Sequence, residues 1–178
     1  GGTEMRGLVM SGGGALGAWQ FGALMALARK ENWNYDLYAG VSVGALNAAF
    51  LATHSSFSSG VKQLGDIWTE IDDKDIKKNW FLIRELAGLW EPSLYNTNPL
   101  KKLVRKYVKP GAYQESGKLL RVGAVSYHSG DYVIFNERDK DIAEGVIGSS
   151  AFPAMFNPGK TRDELWGDGG IRTVTPIK

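Results

Sequence analysis

Gly40-Val41-Ser42-Val43-Gly44 reads G-x-S-x-G, and its flanks decide what that means. Before it, Tyr35 to Val41 is a short apolar run of strand type; after it, Ala45 to Thr53 is rich in Ala and Leu and suits a helix. A serine at a strand-to-helix turn between two glycines is the pattern of a nucleophile elbow. The turn is tight enough that a Cβ on either flank is expected to clash. The peptide N–H groups at the helix start then face any negative charge that forms beside the serine. The competing reading is a Gly-rich turn with an idle serine.

Outward from the elbow, the chain alternates. Arg6 to Ser11 is a strand, Gly12-Gly13-Gly14 a joint, and Ala15 to Lys30 a helix with Ala18, Phe21, Gly22, Met25, Ala26 and Arg29 at helical spacing. The second strand and the elbow follow, so the order is strand–helix–strand–helix and the sheet is expected to be at least partly parallel. His54 to Gly60 reads as a Ser-rich loop, Val61 to Ile71 as a helix, and Ile76 to Trp90 as a helix apolar on most sides. With no strand pattern here, residues 58–110 read as a helical insertion over the sheet. It closes with a helix from Pro99 to Val108, capped by Asn98. Leu119 to Tyr127 and Asp131 to Glu137 are strands of a hairpin turned at His128-Ser129-Gly130. A helix over Asp139 to Ser149, a loop over Phe152 to Pro158 and a short strand at Glu164-Leu165-Trp166 lead to Asp168-Gly169-Gly170.

Composition limits the function. The 178 residues suffice for one domain, residues 1–178, with a sizeable core. A net charge of +2 makes no case for a nucleic-acid binder. With no cysteine, thiol nucleophiles, disulfides and Cys-ligated zinc are excluded. There is no apolar run of 18 residues, and Gly1-Gly2-Thr3-Glu4 has no signal-peptide pattern. The expected setting is cytoplasmic, with room for peripheral contact at membranes. Whether the chain is a whole small domain or a trimmed one is left open, as is its oligomeric state.

Three sites are expected to meet. Gly12, Gly14 and Gly17 spell G-x-G-x-x-G after a strand, which fits a dinucleotide-binding module. The same loop is also a row of backbone N–H groups for an oxyanion, from Gly13, Gly14 and Ala15. A dinucleotide needs an acid at the end of the next strand, about 20 residues on. That strand ends at Ser42, and the nearest acid, Asp36, stands at its beginning. Acyl transfer therefore suits the loop better. A serine also needs a base. Of the two histidines, His54 lies at the far end of the elbow helix, roughly 15 Å away, and His128 sits in a turn. Asp168 is the better candidate, because Asp-Gly-Gly after a short strand presents a carboxylate at a strand end. Against it stands a plain D-G-G turn.

Gly12-Gly13-Gly14-Ala15-Leu16-Gly17, Gly40-Val41-Ser42-Val43-Gly44, Ser149-Ser150-Ala151-Phe152-Pro153 and Asp168-Gly169-Gly170, in this order, resemble the bacterial patatin-like phospholipase family. The resemblance runs from about Arg6 to Gly170. It implies a three-layer α/β/α fold with a mostly parallel central sheet, and a Ser42–Asp168 dyad in place of a triad. It also implies hydrolysis of fatty-acyl esters of lipids through an acyl-enzyme, with no metal or organic cofactor. An acyltransferase on the same site is the alternative. Leu16 stands where many members carry Arg or Lys, and members usually continue beyond the last residue here.

A lipid substrate raises the question of an interface. Leu100, Leu103, Val104, Tyr107 and Val108 fall broadly on one face of their helix, opposite Lys101, Lys102, Arg105 and Lys106. Such a helix either lies on anionic lipid or packs on the sheet with a solvated basic face. The Trp80–Trp90 segment is apolar enough to line an acyl pocket, form a lid or serve as core.

Overall fold

The computed structural model describes residues 4–12, 17–30, 33–71, 98–150 and 159–169. The segments Ile76–Trp90 and Phe152–Pro158 lie outside these, as do Gly13, Gly14 and Ala15.

The described elements run β1 (Gly7–Met10), α1 (Gly17–Lys30), β2 (Leu37–Val41), α2 (Val43–Leu51), α3 (Phe57–Ile71), α4 (Asn98–Tyr107), α5 (Pro110–Ser116), β3 (Leu119–Ser126), β4 (Tyr132–Asn136), α6 (Ile142–Ser149), β5 (Gly159–Thr161) and β6 (Glu164–Asp168). β1, β2 and β3 are parallel neighbours. β4 and β6 join β3 antiparallel, and β5 pairs antiparallel with β6. This mixed sheet flanked by helices belongs to the α/β/α class.

The core follows the period-2 pattern of the strands. Tyr38, Leu120, Val122, Ala124 and Phe135 are all fully buried on one face of the sheet, beneath α2 and α6. The elbow helix α2 is apolar apart from Asn47 and buried at every position. Where α6 crosses the sheet it does so closely: a Cβ on Gly145 would run into the Phe135 ring, and one on Gly148 into Trp166.

Three local readings need correction. α3 begins at Phe57, inside the expected loop. Ser56 starts it: its hydroxyl accepts the Ser59 N–H at 3.3 Å. Phe57 is then buried edge-on against Tyr35, at 4.9 Å between ring centres. α5 was not anticipated, although it opens at a proline and closes at Gly117 with φ 71°. Nor was β5, which turns into β6 through Arg162 and Asp163, both at positive φ.

α5 completes the elbow helix from its far end. The Tyr113 hydroxyl donates to the Ala49 carbonyl at 3.0 Å and the Ser116 hydroxyl to the Ala52 carbonyl at 2.6 Å. These are the carbonyls a helix leaves unpaired at its end. α4 turns its apolar side inward, with Val104 and, just past its end, Val108 fully buried. That side is therefore occupied by core packing, and Lys102, Arg105 and Lys106 face outward. Arg105 pairs with Glu144 of α6 at 2.6 Å. No helix of the described residues is long and apolar enough to cross a membrane.

Candidate active site

The elbow forms because its two glycines carry no side chain. A Cβ on Gly40 would collide with the Gly44 carbonyl, and one on Gly44 with the carbonyls of Met10, the last residue of β1, and of Ser11 just after it. Ser42 between them takes φ 57° and ψ −131°, a region L residues rarely enter. Such a conformation costs about 1–3 kcal/mol and persists only where its surroundings hold it. A serine at a helix start ordinarily turns its hydroxyl onto the first turn, but Ser42 makes no such cap bond. Its side chain is left for other work.

The start of the glycine loop lies on the elbow. A Cβ on Gly12 would sit 3.2 Å from the Ser42 Cβ. A chain of side-chain amides fixes the strand end before it. Trp68 Nε1 donates to Asn47 Oδ1 (3.1 Å), Asn47 Nδ2 to Gln20 Oε1 (2.7 Å), and Gln20 Nε2 to the Ser11 carbonyl (3.1 Å). Asn47 is fully buried and is satisfied on both sides by these bonds. Gly13, Gly14 and Ala15 themselves fall outside the described residues.

The position of Asp168 follows from the ladder of β3. Odd-numbered residues of β3 turn their peptide groups to one edge. Leu119 N–H donates to the Asp36 carbonyl before β2 (2.9 Å), and Tyr127 N–H to the Leu165 carbonyl of β6 (2.8 Å). Ser126 N–H donates from the other edge to Asp131, at the start of β4 (2.9 Å). β2 and β6 thus share a single edge of β3, and they approach each other along it. β2 ends with Val41 opposite Gly123, which brings Ser42 level with Ala124. β6 runs the other way and ends with Asp168 opposite Ala124. The two strand tips meet there, tip to tip. Gly169 follows directly, and a Cβ on it would collide with the Gly123 carbonyl.

Asp168 is 1% exposed and Ser42 8%. Burial pushes the Tyr127 phenol above its ordinary pKa, and the Asp168 carboxylate adds to that shift. One residue that sequence reading used only as part of a resemblance sits in the junction. Ser149, at the end of α6 and fully buried, accepts the Ser42 N–H at 3.0 Å and donates to the Gly123 carbonyl at 2.6 Å. No spacing rule would have singled it out from Ser150 beside it.

The remaining candidates lie elsewhere. Asp36 accepts the Arg6 N–H at 2.9 Å, at the beginning of β1 and β2 and so at the opposite end of the sheet from Ser42. His54 follows the far end of α2, where its Nδ1 meets Thr53 Oγ1 at 3.0 Å. His128 is exposed in the β3–β4 turn.

The model of the patatin-like phospholipase family matches residues 8–178, so the chain belongs to that family. Among solved structures, VipD from Legionella pneumophila superposes with a TM-score of 0.60 at 19% identity, over 99% of this chain and 47% of VipD. The ExoU–SpcU complex of the Pseudomonas aeruginosa type III secretion system gives 0.52 at 22% identity, over 84% of this chain and 36% of the matched one. At these identities the likeness is one of fold, and the chain spans less than half of either neighbour. No curated protein matches it.

Proposed function

We propose that this protein is a serine acyl hydrolase that cleaves fatty-acyl esters of lipids, phospholipids included, with Ser42 as nucleophile and Asp168 as its base. The observation that carries this reading is the tip-to-tip approach of β2 and β6 on β3, one strand ending at the elbow serine and the other at a buried carboxylate. Membership of the patatin-like family supports the lipid-hydrolase class.

In the first half-reaction the Ser42 hydroxyl loses its proton to Asp168 as Oγ bonds to the ester carbonyl carbon. The tetrahedral oxyanion is held by N–H groups of Gly13, Gly14 and Ala15 and by the start of α2, each such donor being worth about 2.7–4 kcal/mol of barrier. The carbon–oxygen bond to the alcohol or lysolipid then breaks, and the leaving oxygen takes the proton from Asp168. In the second half-reaction water gives a proton to Asp168 as its oxygen bonds to the acyl carbon. The bond from that carbon to Ser42 Oγ then breaks, Oγ takes the proton back from Asp168, and the fatty acid is freed. Contact with anionic lipid is electrostatic and uses Lys101, Lys102, Arg105 and Lys106, because the apolar side of α4 is packed inward. Vesicle sedimentation tests this part: binding that survives Lys102→Glu/Lys106→Glu, or that ignores salt, refutes it.

Fluorophosphonate labelling of Ser42, with p-nitrophenyl ester and phospholipid turnover, tests the chemistry. Ser42→Ala is expected to abolish labelling and turnover, and Asp168→Asn to abolish turnover, with both variants folded. Near-wild-type hydrolysis by either one overturns the assignment. Acyl transfer to an added alcohol in preference to water redirects it to an acyltransferase.

A further inference from the structure

We propose that Ser149 is a positioning residue for the nucleophile, holding the Ser42 backbone in its strained conformation through one buried hydroxyl. The inference rests on the hydrolase reading above and extends it to a residue that touches no reacting atom.

Ser42 is at φ 57° and is not a glycine, so its conformation relaxes unless neighbours hold it. The angle φ turns about the N–Cα bond, so fixing the direction of the Ser42 N–H fixes the plane on which φ is measured. Ser149 Oγ accepts that N–H at 3.0 Å. The Ser149 hydroxyl is itself oriented, because its proton goes to the Gly123 carbonyl at 2.6 Å. Gly123 lies opposite Val41, the last residue of β2, and beside Gly169, which follows Asp168. The hydroxyl therefore links the nucleophile's backbone to the strand from which both tips are registered.

Ser149 cannot drift, because α6 is pressed onto the sheet at Gly145 and Gly148, where any Cβ would strike Phe135 and Trp166. Removing the hydroxyl leaves a buried N–H and a buried carbonyl each short of a partner. It also frees the elbow to turn Ser42 away from its attack geometry. A displacement of about 1 Å costs about a hundredfold in rate. The effect falls on kcat, because no substrate contact is lost.

The test uses the full chain with a p-nitrophenyl ester. A burst titration counts competent serines, so kcat is read per active site and unfolded protein is not scored. Ser149→Ala is expected to lower kcat per site tenfold to a hundredfold with KM within twofold. Ser149→Cys keeps the side chain's shape but has a weak donor and acceptor, and is expected to lose at least fivefold. Phe57→Leu, in the α3 core away from the junction, destabilises the protein and is expected to leave kcat per site unchanged. The inference is overturned if Ser149→Cys keeps wild-type kcat per site, or if Phe57→Leu loses as much as the Ser149 variants. If the wild type itself shows neither burst nor labelling of Ser42, the hydrolase reading fails, and this inference with it.

Discussion

Alanine placed at three glycines should give three different results. At Gly44 an added Cβ would lie 2.8 Å from both the Met10 carbonyl carbon and the Ser11 carbonyl oxygen, closer than real Cβ contacts come. Both are backbone atoms of β1 and its exit, so neither can swing aside as a side-chain tip would. Relief requires the elbow and β1 to part by several tenths of an ångström. Overpacking of this kind costs about 1–3 kcal/mol, and in a domain of this size each kcal/mol moves Tm by about 2–4 °C. The same shift parts Ser42 from the start of the glycine loop. Since about 1 Å costs about a hundredfold, several tenths of an ångström should lower kcat by roughly fivefold to tenfold. At Gly145 the obstacle is the Phe135 ring, 2.5–2.8 Å from the added Cβ. The stability loss should be similar, with a smaller effect on turnover. At Gly22, exposed on α1, the added Cβ meets nothing within 4 Å. There alanine should stabilise by about 0.4–1 kcal/mol, since glycine has more freedom to lose on folding. Thermal melts and p-nitrophenyl ester turnover of the three variants provide the assay. Wild-type Tm and kcat in Gly44→Ala would refute the close approach of elbow and first strand.

Tyr113→Phe removes the hydroxyl that serves the Ala49 carbonyl at the end of the elbow helix. It should cost about 1–3 kcal/mol, seen as a lower denaturant midpoint, with kcat retained because the change lies at the end of α2 remote from Ser42. Stability should also depend on acid. Burial alone would raise the Glu137 carboxyl, but the Leu120 N–H, its own backbone N–H and Arg121 more than offset it and hold it below its ordinary value. Asp141 is likewise lowered: burial opposes the shift, and Arg162 and Thr161 outweigh it. A carboxylate depressed in the folded state stabilises above its unfolded pKa, about 3.9–4.3, and loses that contribution as pH falls through the folded value. Tm should hold above about pH 5 and drop below it. Glu137→Gln should be less stable at neutral pH and show a shallower acid limb; an unchanged limb would show that this carboxylate is not among those responsible.

What could be read in the chain was local. Gly40 and Gly44 announced the elbow because only glycine fits the approaches they make, and Asp168 stood out because two glycines follow it. The hairpin at His128-Ser129-Gly130 has its turn chemistry in plain view. The meeting of β2 and β6 was not legible, because it depends on three strands competing for two edges of β3. No local pattern encodes that arrangement. Ser149 was hidden for the same reason: a buried serine is identified by its partners, and Ser42 and Gly123 are distant in sequence. α4 shows the limit of periodicity, since its apolar stripe was plain while its destination, core or lipid, was a matter of tertiary packing. α5 carried its boundary residues, Pro110 and Gly117, but too few turns between them for a periodic signal.

The shared edge of β3 has a bearing on how this fold can change. Two half-length rails laid along one sleeper leave no slack where they abut. One residue added to β2 or β6 would either drive the tips into each other or turn every side chain of that strand to the opposite face. The span between Ser42 and Asp168 is thus metered by ladder hydrogen bonds, not by loops. Variation in length is free to accumulate in the connections, while the two short strands that end at Ser42 and Asp168 are held to a fixed count.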